Sequence, residues 1–292
     1  MSQETDDRHK IEQLPRTSEA VNWWLQEWGR QAVVDRKEPL NQQDVERLIK
    51  ANGGTAEGLC LVERNMQGAS LSGADLYGAS LYKADLRGAD LVGSDLHEAK
   101  MGRANLQNVN LFDANLRGTR FVGADLQKAK LAWAELQGAD LEDAKIEQAN
   151  LQGASLKDAN LRGAKLGHAD LSNANLQGAD LSNADLKGAS LLRVRISSDT
   201  DLTGVMWDDD YKSPLERQGN YLGAEDLYRR LKEWHEFAGL RTIAGEFHYR
   251  EREAARKAEW QKLGEEMGEL VRPISSAWQR LKEMLKTPSG RD

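Results

Sequence analysis

Side chains able to do chemistry are few in this chain and poorly arranged for it. The five histidines, His9, His97, His168, His235 and His248, show none of the close spacings that set two imidazoles on one helix turn or in one metal loop. His235 and His248 come nearest, because they fall on two segments that read as the arms of a helical hairpin, beside Glu236 and Glu246. Ordinary polar positions on a hairpin give the same pattern, and that is the expectation for them. Asp208, Asp209 and Asp210 are consecutive, whereas a calcium loop takes its ligands from alternating positions, so they read as solvated chain. A single cysteine, Cys60, leaves no intrachain disulfide and no cysteine zinc site. Neither a phosphate-binding glycine loop nor a G-x-S-x-G elbow is present. The expectation is a protein without catalytic residues, cofactor or metal.

Composition narrows the classes further. The net charge of -7, from 47 acids and 40 bases, exerts no global pull on nucleic acid or anionic lipid, and a nucleic-acid partner is not expected. No run of about 18 apolar residues exists, and the opening MSQETDDRHK has no apolar signal region, so the chain is expected to be cytoplasmic. A length of 292 residues suggests about two domains. The prolines are placed unevenly, with none between Pro39 and Pro214.

Within that gap the sequence repeats every five residues, as in GASLSGADLYGASLYKADLRGADLV. Large apolar centres fall at Leu71, Leu76, Leu81 and onward to Ile196, with Met101, Phe121 and Ile146 among the few that are not leucine. Alanine stands two before nearly every centre, the departures being Ser94, Val109, Thr119 and Val194. Met66 and Leu61 carry the register backwards. A period of five suits neither regular element: on a helix the leucines would wander around the cylinder, and on a flat strand they would alternate between faces. A short extended piece holding alanine and leucine, followed by a turn, satisfies both. Gly, Asn or Asp recurs two after the centre, as at Gly73, Gly78, Gly88, Asn108 and Asp113, which suits such a turn.

This pattern resembles the pentapeptide-repeat family over about residues 59–198. The resemblance implies an all-β solenoid, a right-handed quadrilateral β-helix of 20 residues per coil and about seven coils. At the usual spacing of about 4.8 Å between strands such a rod is roughly 30–35 Å long. Some members of the family imitate DNA and protect gyrase, a role that needs an acidic rod. Residues 66–198 hold 16 acids and 15 bases, which argues against it here.

The flanks read as helical. LNQQDVERLIKANGG carries Asn41 as N-cap, Asp44 in the first turn, Val45, Leu48 and Ile49 as an apolar face, and Gly53 and Gly54 as the stop. It is expected to cap the rod. An earlier segment puts Val21, Trp24, Leu25 and Trp28 on one helical face. After Ile196 the repeat dissolves into an acidic stretch. Leu227, Leu231, Trp234 and Ala238, then Ile243, Phe247, Ala254 and Ala258, mark the two helices of an αα-hairpin. This hairpin resembles the tetratricopeptide-like one that follows the repeats in some membrane-associated pentapeptide-repeat proteins. A terminal amphipathic helix follows, with Ile274, Trp278, Leu281 and Leu285 in one stripe. Packing on the hairpin is expected of that stripe, with a membrane surface touching residues 270–286 as the alternative. The domains are therefore 1–55, a helical N-terminal region and cap; 56–198, the repeat β-helix; 199–222, an acidic linker; and 223–287, the hairpin with its terminal helix.

If a coil takes twenty residues, Val92, Phe112 and Ala132 stack in successive coils at an outward position, with Trp133 beside them and Tyr82 and Val122 in a column taken as neighbouring. Contiguous outward apolar residues point to a protein-binding surface. A scaffold with an unknown protein partner is the function expected. A peripheral membrane or signalling protein acting through the C-terminal helices, or a DNA-mimic gyrase binder, are the alternatives. The sequence carries no signal for the oligomeric state.

Overall fold

The computed structural model describes residues 40, 42–51, 54–208, 213–237 and 241–284. Two compact units share the chain, Met1–Pro214 and Leu215–Asp292.

In the first unit the chain forms isolated parallel bridges, which up to Arg195 join residues twenty apart: Ser80 to Lys100, Lys100 to Arg120, Arg120 to Asp140. A bridging residue recurs every fifth position, so four columns of bridges run along the unit and one circuit takes twenty residues. The repeating hydrogen bonds are regular. Leu81 N donates to Lys100 O at 2.8 Å, Lys83 N to Gly102 O at 3.0 Å, and Lys100 N to Ala79 O at 2.9 Å. A further bond from Ala84 N to Leu81 O, at 3.0 Å, closes each turn. The third residue of the turn is left-handed, with φ 64° at Gly88 and 58° at Asn108, which is why glycine and asparagine recur there.

Asp or Asn often stands just before the centre, as at Asp85, Asn105 and Asp170, and this too has a local cause. Its side-chain oxygen accepts the N–H two residues on, as from Tyr77 to Asp75 at 3.1 Å and from Gln152 to Asn150 at 3.0 Å. Amides at this position also bond along a column, Asn115 Nδ2 donating to Asp95 at 3.0 Å and Asn160 Nδ2 to Asp140 at 2.9 Å.

The centres and the small residues two before them fill the interior; Leu86, Leu96, Phe121, Ala84 and Ala124 are fully buried. Burial of each such leucine contributes on the order of 1.5–3 kcal/mol. Polar substitutes in the alanine slot are satisfied from within. Ser94 donates to Leu91 O and Thr119 to Leu96 O, both at 2.7 Å.

At its C-terminal end the ladder runs past residue 198. Asp180 bridges Asp201, and Asp185 bridges Met206, at a spacing of twenty-one. One extra residue after Ile196 accounts for the slip. Thr200 then takes the alanine slot, donating to Leu176 O at 2.9 Å, and Leu202 takes the centre, 3% exposed. Asp208 accepts from Gly188 N at 3.2 Å, so the start of the acidic stretch belongs to the solenoid and not to a linker. Asp209 and Asp210 lie outside the described residues.

At the other end Leu40 N donates to Asn65 O at 3.1 Å, an acceptor that elsewhere in the ladder serves a centre nineteen residues earlier. Helix α1, Gln42–Ala51, follows with Val45 buried, and Gly54 N closes it on Ile49 O at 3.0 Å with φ 86°. Asn41, Gly53 and the face of Val21, Trp24, Leu25 and Trp28 lie outside the described residues.

The short helix α2, Pro214–Arg217, begins on the last residue of the first unit, and the second unit continues with α3, Tyr221–Phe237, and α4, Arg241–Met284. α3 and α4 run antiparallel: Tyr228 stacks on Phe247, Lys232 pairs with Glu251 at 2.8 Å, and Lys257 lies 5.6 Å from the Tyr221 ring. Leu227, Leu231, Trp234, Phe247 and Ala254 are buried as the helical periods demand, while Ile243 and Ala258 are half-buried. A buried carboxylate ties the three helices together. Glu216 accepts from Tyr228 Oη at 2.9 Å and from Lys257 Nζ at 2.5 Å. Where the sequence suggests a separate terminal helix, α4 continues without a break through Gly264 and Pro273, and Ile274, Trp278 and Leu281 belong to it. Leu285 lies outside the described residues.

The two hairpin histidines do not converge. His235 is 1% exposed, edge-on to Trp234 and 5.1 Å from Phe247, and its Nδ1–H donates to Leu231 O at 2.6 Å. His248 lies near the surface, 3.5 Å from Glu251. Burial pushes His235 below its ordinary value, only partly offset by the bond to Leu231. A depressed histidine binds fewer protons folded than unfolded. The hairpin is therefore expected to hold its stability above about pH 6.5 and to lose it as pH falls below that, by up to about 1.4 kcal/mol per pH unit until the folded group itself titrates. Urea melts of the parent and His235→Leu at pH 7.5, 6.5 and 5.5 check this. An equal acid slope in both proteins would exclude His235 as its source.

Candidate functional site

The outward positions of the solenoid are those just after each centre and the left-handed residue that follows. On one side of the coil the first of these positions reads Ser72, Val92, Phe112, Ala132 and Gln152 along the column. The ladder fixes their spacing through bonds such as Gly93 N to Phe112 O at 3.0 Å and Trp133 N to Gln152 O at 3.0 Å. Phe112 is 43% exposed and Trp133 57%, whereas Val92 is half-buried and Ala132 is buried. Ala132 is thus part of the floor of the surface and offers no contact area of its own.

Tyr82 and Val122 do not join this patch. They stand ten residues from Val92 and Ala132 respectively, which is half of a twenty-residue circuit and therefore the opposite side of the coil. Both are exposed, at 37% and 40%. The ring of Tyr82 lies along Gly102, where an added Cβ would meet Cδ2 at 3.4 Å. The sequence contains the signal for this separation, but it becomes visible only when columns are counted modulo twenty.

Among the described non-glycine residues with positive φ, most of them polar or charged, Trp133 is the one with a large apolar side chain. It occupies the left-handed turn position with φ 63°, which costs a bulky residue of order 1–2 kcal/mol. Its indole leans over Gly153 of the next coil, so close that a Cβ there would stand 2.8 Å from Cε3. Other residues of this kind lean in the same way, Asp143 over Gly163 and His168 over Gly188. Glycine one coil on is what leaves room for the indole to lie along the backbone with its outer face open.

The adjacent side supplies polar and aromatic groups that sequence reasoning passed over. Tyr77 and His97 stack with ring centroids 4.1 Å apart, and His97 Nδ1 lies 2.5 Å from Asp95. Arg117, next in that column, pairs with Glu135 at 2.9 Å. The charge of Glu98, reinforced by Glu57, holds the Tyr77 hydroxyl above its ordinary value. Elsewhere Arg87 grips Asp85 through hydrogen bonds that hold its carboxyl below the usual range. Among the described residues no cluster of three or more His, Cys, Asp or Glu side chains is arranged to hold a metal. What the surface offers is two large aromatics on a rigid support, with charged and hydrogen-bonding groups on the next side.

Comparison with known proteins gives a consistent picture of the repeat region. The family described as pentapeptide repeats matches in eight copies, over residues 63–91, 89–127, 104–143, 124–163 and 154–193. HetL, a pentapeptide repeat protein involved in heterocyst differentiation regulation from the cyanobacterium Nostoc sp. strain PCC 7120, is 30% identical over 57% of this chain and 92% of its own, with a TM-score of 0.28. A second Nostoc pentapeptide repeat protein is 26% identical over 59% of this chain and 100% of its own, with a TM-score of 0.17. One from the thylakoid lumen of Arabidopsis thaliana is 25% identical over 41% and 68%, with a TM-score of 0.28. No curated protein sequence matches significantly. With the repeat matched in eight copies within residues 63–193, and with 30% identity across 92% of HetL, the chain belongs to the pentapeptide-repeat family.

Proposed function

We propose that the protein is a non-enzymatic scaffold of the cytoplasm that binds a protein partner through the side of the solenoid bearing Phe112 and Trp133. The single observation that carries this reading is Trp133. A tryptophan stands where the turn prefers glycine or asparagine, over a glycine that makes room for it, and more than half of it stays in water. A backbone position held against its preference, carrying an exposed aromatic, is the pattern of a binding anchor more than of a packing residue. Val92 and Ala132 supply the apolar floor, and the column of Tyr77, His97 and Arg117 a polar rim. The finer architecture that goes with this reading is a right-handed quadrilateral wind of about seven coils, with α1 as its N-terminal cap.

DNA mimicry is the weaker reading. The aspartates before the centres serve the turns, several acids are engaged by bases, as Asp85 by Arg87 and Glu135 by Arg117, and over residues 66–198 16 acids stand against 15 bases. For the membrane reading, no helix among the described residues is long and apolar enough to cross a bilayer.

The test compares the full chain with Phe112→Asp/Trp133→Asp, after matching their thermal melts. Crosslinking and mass spectrometry in the native host should find a protein enriched at least tenfold with the parent and lost from the variant. Identical crosslinked sets from both proteins would remove this surface as the binding site.

A further inference from the structure

α4 is longer than its partner. The contact of Lys257 with Tyr221, the first residue of α3, marks where the hairpin ends, and α4 continues over residues 258–284. This extension contains Gly264, Gly268 and Pro273, each unfavourable in a helix interior, so its helical state calls for support from packing.

Because the helix is continuous, one register applies from Trp260 to Met284, and that register is a heptad. The a positions are Trp260, Met267, Ile274 and Leu281; the d positions are Leu263, Leu270, Ala277 and Met284. Every one of these eight is apolar, and every b, c and f position between them is polar or glycine. A strict 3.5-residue period is the signature of a helix that packs along its length on another helix. The first two members of the stripe, Trp260 and Leu263, are 69% and 50% exposed.

We propose that this stripe is a homodimer interface, occupied by the same segment of a second copy running antiparallel. The flanking positions decide both the partner and the direction. The e positions are Gly264, Val271 and Trp278, and the g positions Glu266, Pro273 and Arg280. In a parallel pair e meets g of the partner, placing Val271 against Glu266 and Trp278 against Pro273. In an antiparallel pair e meets e and g meets g. Two copies then align about a two-fold axis near residue 272. Glu266 meets Arg280 of the partner subunit twice, the smallest flank residue, Gly264, meets the largest, Trp278 of the partner subunit, and Val271 meets its own copy. Within the seam Met267 layers with Ala277, Leu270 with Ile274, Leu263 with Leu281, and Trp260 with Met284. Charge and side-chain size are thus complementary between the two ends of one sequence. A dimer of this kind carries two solenoids, so a partner with two binding sites gains avidity without new contacts.

Sedimentation equilibrium of the full chain tests this. The parent is expected at twice the 32.6 kDa chain mass. Leu270→Asp, in the central layers, is expected at the single mass with the melting of the solenoid unchanged. Arg280→Glu turns both flanking attractions into repulsions and is expected to weaken the dimer by about tenfold, while Glu266→Arg/Arg280→Glu restores it. A parent that stays monomeric, a Leu270→Asp variant that stays dimeric, or a double swap no tighter than the single one would each overturn the proposal. So would a monomeric parent that floats with phosphatidylcholine–phosphatidylserine vesicles and loses that property on Leu270→Asp, which would assign the stripe to a lipid surface.

Discussion

Lys130→Pro is expected to lower the unfolding free energy of the solenoid by about 3 kcal/mol or more, while Gln127→Pro, three residues away, is expected to stay within about 1 kcal/mol of the parent. The difference lies in what each N–H does. Lys130 N donates to Val109 O of the previous coil at 2.9 Å, so proline there deletes a ladder bond and sets its ring against the neighbouring coil. Gln127 is the first central residue of the turn that Ala129 N closes on Leu126 O at 3.0 Å, a position whose backbone suits proline. Its N–H is used only by Asp125 Oδ1 at 3.2 Å, and the other oxygen of that carboxylate is held by Gln107 at 2.8 Å. Chemical denaturation of both variants decides the matter. Equal losses would mean that the solenoid excludes proline for a reason other than its inter-coil donors. The absence of proline between Pro39 and Pro214 is then stricter than the ladder alone demands, since only some positions need the N–H.

How far the sequence reveals this molecule depends on the range of the interaction involved. The five-residue register was legible because centre, small residue and turn residue each answer to a local requirement, and the buried leucines and left-handed turns fall where it puts them. The solenoid's C-terminal end was hidden by one inserted residue. Leu202 and Thr200 occupy their slots six residues after Ile196 and Val194, so a strict period of five stops too early. The separation of Tyr82 from Phe112 was within reach of the twenty-residue coil, since the ten residues between Tyr82 and Val92 are half a circuit; taking the two columns as neighbours was the error, which the bridges correct. The stacking of Tyr77 on His97 follows from the same circuit. The terminal helix read as an element of its own, yet α4 runs into it through Pro273, although proline disfavours a helix interior. Only that continuity joins Trp260 and Ile274 into one stripe. The exposed face of Trp133 was partly readable, since a tryptophan two after a centre breaks the turn preference, but the room left by Gly153 was not.

The second large effect follows from the same architecture. Phe121→Ala is expected to cost about 3–5 kcal/mol, because Phe121 is fully buried and the coil cannot contract around the gap while its backbone is bonded on both sides. Phe121 N donates to Asp140 O at 2.6 Å, and Arg120 N to Ala99 O at 2.9 Å, which pins the segment to the coils before and after it. The side chains that precede and follow it in the column, Met101 and Leu141, are themselves buried, so the vacated volume is bounded by centres with their own positions to keep. A solenoid adds an effect that a globular core would not show. Each coil is stabilised chiefly by its neighbours, so a cavity in the middle weakens the coupling between the two halves as well as the total. The variant should therefore unfold in two steps where the parent unfolds in one, with amide exchange accelerated most between residues 101 and 141. Leu61→Ala, near the first coils, should lower stability without splitting the transition. A single transition in Phe121→Ala with the parent's denaturant dependence would show that the coils cooperate over distances longer than nearest neighbours.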